Sequence, residues 1–118
     1  DPHPTHKLGT RLVLSALKEL PLLCQKIKEV WLYETPWNEF GAEEYNLCFG
    51  FSKEIAAIKR KAICAHRSQI NRLPFDRWAL YRNQKLASIE FESQKVRWDE
   101  KGKFDFSYTE VFKRILNI

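Results

Sequence analysis

The chain has no methionine, only four glycines, and three cysteines without a Cys-x-x-Cys pair. Without methionine, Asp1 is not expected to be a translation start. A removed or missing segment is expected before it, carrying the strand that supports the first loop. Cys24, Cys48 and Cys64 are odd in number, far apart and set in apolar stretches. They read as buried free thiols of a reducing compartment, here the cytoplasm. No apolar run approaches a membrane span, because charges interrupt every stretch. Nothing resembles a secretory signal peptide, and no internal repeat or low-complexity tract occurs. Charge of either sign is not scarce: twenty basic residues against fifteen acidic leave a net charge of +5. That balance permits an anionic partner without requiring one.

What is present is enough for one domain with one core. The chain has 118 residues, 44% of them hydrophobic and 14% aromatic, which excludes a disordered polymer. Residues 6–20 have helical spacing, with Leu8, Leu12, Ala16 and Leu20 on one stripe, Val13 and Leu17 widening it, and Pro21 as the stop. Lys7, Arg11 and Lys18 fall largely on the other side. Residues 29–35 read as a strand, apolar on both faces and therefore expected inside a covered sheet. A loop over 36–44 follows, in which Trp37 and Phe40 serve either the core or a pocket rim. Residues 45–51 alternate as a second strand. Ser52 then caps a helix along one side of which lie Ile55, Ile58, Ala62, Ala65, His66 and Gln69. Lys53, Arg60 and Arg67 form a solvated stripe on it. After Pro74, Asp76 is expected to cap a helix to about residue 89. Residues 94–107 read as a hairpin, and the tail from Tyr108 is equally compatible with helix and strand.

The chain's three histidines are His3, His6 and His66. Two of them stand in His3-Pro4-Thr5-His6. Pro2 and Pro4 keep Asp1 and His3 out of the α region, so the segment is expected to be a stiff, extended loop with Thr5 capping the helix behind it. Two imidazoles on such a loop suit a metal ligand and a catalytic imidazole, or they are incidental: zinc needs three or four ligands, and this stretch offers at most two.

Three pieces resemble the PIG-L (LmbE-like) family of zinc-dependent de-N-acetylases. Asp1-Pro2-His3-Pro4-Thr5-His6, followed by a helix with Gly9, is similar to the family's His-Pro-Asp-His loop. Lys61-Ala62-Ile63-Cys64-Ala65-His66-Arg67-Ser68-Gln69 is similar to its Lys-x-x-Ala-x-x-x-His-x-Ser-Gln helix end. Tyr108-Thr109-Glu110-Val111-Phe112 is similar to its Tyr-Ala-Glu-x-Phe. The resemblance implies an α/β, Rossmann-like three-layer sandwich, with residues 1–118 as the C-terminal part of one such domain and the metal site at the C-terminal ends of parallel strands. It implies a Zn2+ cofactor, His6 as a metal ligand and His3 as the catalytic imidazole beside the metal. The family's His-Pro-Asp-Asp-Glu motif, which supplies two more ligands and a carboxylate base, does not occur in this chain. A further segment, in the same gene product or as a companion chain, is expected to supply it. The family has Asp where this chain has Thr5. A carboxylate there holds the first imidazole, whereas Thr5 offers a neutral hydrogen bond.

Arg67, Ser68 and Gln69 either support the catalytic loop and substrate or fasten a helix end to backbone. Glu110 has a surface role as its default. The function expected is a hydrolase removing acetyl from an N-acetylglucosamine-type amino sugar or its conjugate. One alternative is a metal-free relative that only binds a sugar conjugate. A nucleic-acid-binding module is a third reading, on Lys59-Arg60-Lys61, Arg77-Trp78 and Arg97-Trp98, though the basic residues form no dense run and nucleic acid is not the expected partner. The oligomeric state, a homo-oligomer included, stays open.

Overall fold

The computed structural model describes residues 3–20, 26–93 and 107–116. The expected hairpin over 94–107 lies, apart from Ser107, outside the described residues, as do Cys24 and the Arg97-Trp98 pair. The elements are α1 (Pro4–Glu19), β1 (Glu29–Tyr33), β2 (Leu47–Phe51), α2 (Lys53–Cys64), α3 (Arg67–Ile70), α4 (Phe75–Ser93) and β3 (Tyr108–Leu116). The strand order is β1-β3-β2, and β1 runs antiparallel to β3, with Trp31 opposite Arg114 and Tyr33 opposite Phe112. The class is mixed α/β. The chain divides into two compact units: residues up to Leu47 with those from Phe112 on, and Cys48–Val111.

In the first unit α1 begins earlier than the sequence pattern indicates. Pro4 occupies the first turn and His3, not Thr5, is the N-cap. The proline ring presets the helical φ, and its missing N–H is one the first turn does not use. The His3 carbonyl accepts the backbone N–H of His6 and of Lys7, both at 3.1 Å. The stiff extended loop thus shrinks to His3 itself, and Thr5 and His6 are already helical. At the other end Leu20, which precedes Pro21, leaves the helical region, as a residue before proline tends to.

The apolar stripe of α1 is not core. Leu17 is buried, but Leu8, Leu12, Val13 and Leu20 are about half exposed. β1 is likewise an edge strand with Trp31 and Tyr33 exposed, not the covered strand its two apolar faces indicate. Tyr45 and Leu47 complete this unit's buried set. Before β2, Asn46 docks on β3 as a substitute strand. Its backbone N–H donates to the Phe112 carbonyl at 3.1 Å. Its side-chain amide donates to the Arg114 carbonyl at 3.0 Å and accepts the Arg114 N–H at 2.7 Å.

In the second unit Ser52 caps α2 as expected, its hydroxyl accepting the Ile55 N–H. On α2 Ala56 is the buried residue, while Ile55 and Ile58 are exposed. The buried set is Cys48, Ala56, Ala79, Leu86, Ala87 and Val111. A polar chain runs through it. Lys59 Nζ meets the Glu110 carboxylate at 3.0 Å and donates to Asn83 Oδ1 at 2.9 Å. Asn83 Nδ2 donates to the Thr109 carbonyl at 2.9 Å. The Phe51 ring stacks on Tyr108 at 5.5 Å and lies under the Lys59 ammonium. Glu110 therefore has a partner rather than a plain surface role, and it fastens α2 to β3.

Asp76 lies in the first turn of α4, where its buried carboxylate meets Arg60 Nε at 3.2 Å. Burial pushes the carboxyl pKa up, but the Arg77 backbone N–H and the Arg60 guanidinium outweigh it and hold it below the usual value. The folded carboxyl thus binds its proton more weakly than the unfolded one, whose pKa is about 3.9. Its contribution to stability is complete above that value and is lost as pH falls through the lower folded pKa. Urea unfolding should show a gap between the native protein and Asp76→Asn at pH 7 that closes below about pH 4. A gap that stays constant to pH 2 would refute this assignment.

Candidate functional site

The first unit carries a cleft of about 440 Å³ between α1 and the β1 region. The side of α1 opposite its apolar stripe forms one wall, with His6, Lys7, Thr10 and Arg11. These positions recur at i, i+1, i+4 and i+5, so they share one helical face. The other wall holds Trp31, Leu32 and Tyr33, and the turn after β1 adds Thr35, Asn38 and Phe40. Phe40 is thus a pocket residue. Trp37, which stands beside it in the sequence pattern, is exposed and does not line the cleft.

Local bonding sets these side chains. Thr35 and Asn38 exchange backbone hydrogen bonds at 3.3 and 3.0 Å, and the Phe40 N–H donates to Glu34 Oε1 at 2.7 Å. The Trp31 indole N–H donates to Glu29 Oε2 at 2.8 Å, and its ring lies 5.6 Å from that of Phe112. Glu29 in turn lies 3.7 Å from the Arg114 guanidinium. The indole is therefore held by its edge, with one anchor on each side.

His3 stands beside His6, the ring centroids 5.1 Å apart and the planes tilted by 40°. His3 Nδ1 accepts the Thr5 backbone N–H at 3.3 Å. The neutral hydrogen bond expected at position 5 thus comes from its main chain. Both imidazoles and Thr5 are exposed. Two neighbouring imidazoles are a donor set that suits zinc, but they are part of one. Among the described residues no three His, Cys, Asp or Glu side chains stand close enough to hold a metal ion.

The remaining sequence candidates belong to the second unit. Arg67, Ser68 and Gln69 are exposed on α3. His66 is its N-cap without a side-chain capping bond, and its carbonyl accepts the N–H of Gln69 and of Ile70 at 3.0 and 3.1 Å. Lys59 and Arg60, from the basic run, are committed to Glu110 and Asp76. Reading the sequence missed Lys7, Thr10, Arg11 and Thr35 as cleft residues. The first three have a legible signal: they share the helical face of His6.

No helix among the described residues is long and apolar enough to cross a membrane. No family model matches the chain, and no solved structure matches it. Among curated proteins, a glucosamine-6-phosphate deaminase-like protein of Bacteroides thetaiotaomicron is 33% identical over 78 residues, 64% of this chain. The match covers 12% of that relative's length, so the chain corresponds to a small part of it.

Proposed function

We propose that this chain is part of a zinc-dependent hydrolase that removes an N-acetyl group from an N-acetylglucosamine-type amino sugar or its conjugate. The observation that carries the reading is the adjacent His3–His6 pair, of which His6 lines a cleft together with basic and aromatic side chains. The similarity to a protein named for an amino-sugar phosphate agrees with the substrate class, as does the resemblance of three motifs to the PIG-L family.

In this reading His6 holds the metal, and a protonated His3, as imidazolium, hands a proton to the departing amine and is left neutral. Bound zinc activates the attacking water and polarises the acyl oxygen. The other ligands and the carboxylate base come from a further segment of the same gene product or from a companion chain. That segment also covers the exposed Leu8, Leu12, Val13 and Leu20 of α1, since an apolar helical face gains stability by leaving water. With it the fold becomes a Rossmann-like sandwich in which β1 and β3 form an antiparallel edge, as mixed sheets allow. The free thiol of buried Cys48 suits a cytoplasmic setting.

The test is zinc content by elemental analysis of the chain together with that segment. About one zinc per chain is expected. None after reconstitution would overturn the hydrolase and leave the metal-free sugar binder.

A further inference from the structure

The solvent side of α2 has a pattern that its packing in the second unit does not use. Ala56 is the buried residue of this helix. Ile55 and Ile58 are 51% and 63% exposed, and Ala62 and Ala65, at the helix end, are exposed as well. These four residues follow one another at steps of three, four and three, the spacing of the a and d positions of a heptad seam, along which two helices interlock their side chains. Glu54 and Lys61, also exposed, stand one residue before Ile55 and Ala62. Both are therefore g positions, one acidic and one basic. An exposed apolar seam bordered by charges of both signs fits a helix–helix contact better than a solvated face.

We propose that α2 is the contact of a two-fold homodimer, in which the same helix of a second copy packs against it antiparallel. The charges select this partner and its register. In an antiparallel pair an a position packs on a d position of the other helix, and g positions border g positions. With Ile55 on the second copy's Ile58, and the reverse by symmetry, Glu54 of each copy lies beside Lys61 of the other. The contact then has two isoleucine layers flanked by two ion pairs. Beyond these layers Ala62 and Ala65 are small enough to let the Ser52 cap of the other copy come close. The register one heptad along, with Ile55 opposite Ala65, would bring the two Lys61 ammonium groups together. A parallel pair would set Glu54 beside the second copy's Lys59, whose ammonium is already held by Glu110 and Asn83. Two turns of helix bury a small area, so the dimer is weak and forms as concentration rises. The inference stands apart from the zinc site and from the substrate.

The experiment is sedimentation velocity of the full chain in reducing buffer over a concentration series. A monomer–dimer equilibrium with a dissociation constant of about 1–100 μM is expected. Ile58→Lys, a change at an exposed position, should abolish the dimer and leave the circular dichroism unchanged. Glu54→Lys and Lys61→Glu should each raise the dissociation constant about tenfold or more, since each turns both attractions into repulsions. Mixing these two variants should restore association as a heterodimer, because each then meets the opposite charge on the other at both ends of the seam. That recovery also shows that both variants fold. A chain that stays monomeric to about 1 mM would overturn the proposal and leave the stripe to another occupant, the further segment included. A dimer indifferent to Ile58→Lys would overturn it too, placing the contact elsewhere, as on the exposed face of α1. So would charge variants that do not complement each other when mixed.

Discussion

Leu86→Ala is expected to lower the stability of the second unit by about 2–5 kcal/mol. Leu86 is 1% exposed, among the largest fully buried side chains of the described residues. The rest of this unit's apolar buried set is Cys48, three alanines and Val111, short side chains with little reach to fill the hole left by three carbons. The cost therefore has two parts: the lost transfer of those carbons out of water, and a cavity whose walls do not collapse. Against a typical domain stability of about 5–15 kcal/mol, this is a large share. Leu86→Met, which keeps volume and carries a flexible chain, should cost under about 1.5 kcal/mol. Urea unfolding gives both values from the midpoint and slope. A Leu86→Ala loss below about 1 kcal/mol, with unchanged slope, would mean that Leu86 does not pack against this core in solution.

The histidine pair gives the second large effect, and it is one of kind as much as size. With the rings 5.1 Å apart, His6 and His3 are close enough to share one reaction centre yet have different tasks in the proposed hydrolase. His6→Ala should remove bound zinc and turnover together. His3→Ala should leave zinc bound while slowing turnover by about 10²–10⁴-fold, the usual contribution of a positioned acid or base. Metal content and acetate release on the same samples separate the two. Full metal and activity in His6→Ala would refute its role. Loss of zinc in His3→Ala would make His3 a ligand and require another proton donor. Since His3 also caps α1 through its side chain, His3→Asn is a useful control: it keeps an N-cap acceptor but has no imidazole.

What could be read from the sequence was local. Ser52 followed by Glu54 and a helical pattern located α2 and its cap. Alternation near Leu47–Phe51 located β2, and Pro74 located the start of α4. What escaped depends on distant partners. The tail from Tyr108 is rich in residues that suit either helix or strand, and its pairing with β1, some eighty residues away in the chain, makes it β3. Glu110 looks like a surface residue until Lys59 is placed opposite it. Asp76 is a plausible cap by sequence, but its weight lies in Arg60. The stripes of α1 and α2 escaped for a different reason. Periodicity shows which residues share a face, yet it does not say which face turns inward. Leu8 and Leu12 on α1, and Ile55 and Ile58 on α2, turn outward. In α1 the polar face, with Lys7 and Arg11, is the one that lines the cleft.

The order β1-β3-β2 also bears on how the chain acquires its shape as it is synthesised. β1 and β2 emerge before β3, and they do not pair with each other. The strand that separates and joins them follows both in the chain and is the last of the described elements. Until Tyr108–Leu116 leaves the ribosome, both early strands have unmatched backbone groups, and Asn46 has no carbonyl to bond. Helices α2 and α4 can form and associate in that interval, because their contacts are shorter in sequence. The sheet closes late and over long loops, the topology that folds slowly and leaves strand edges open to other chains in the meantime.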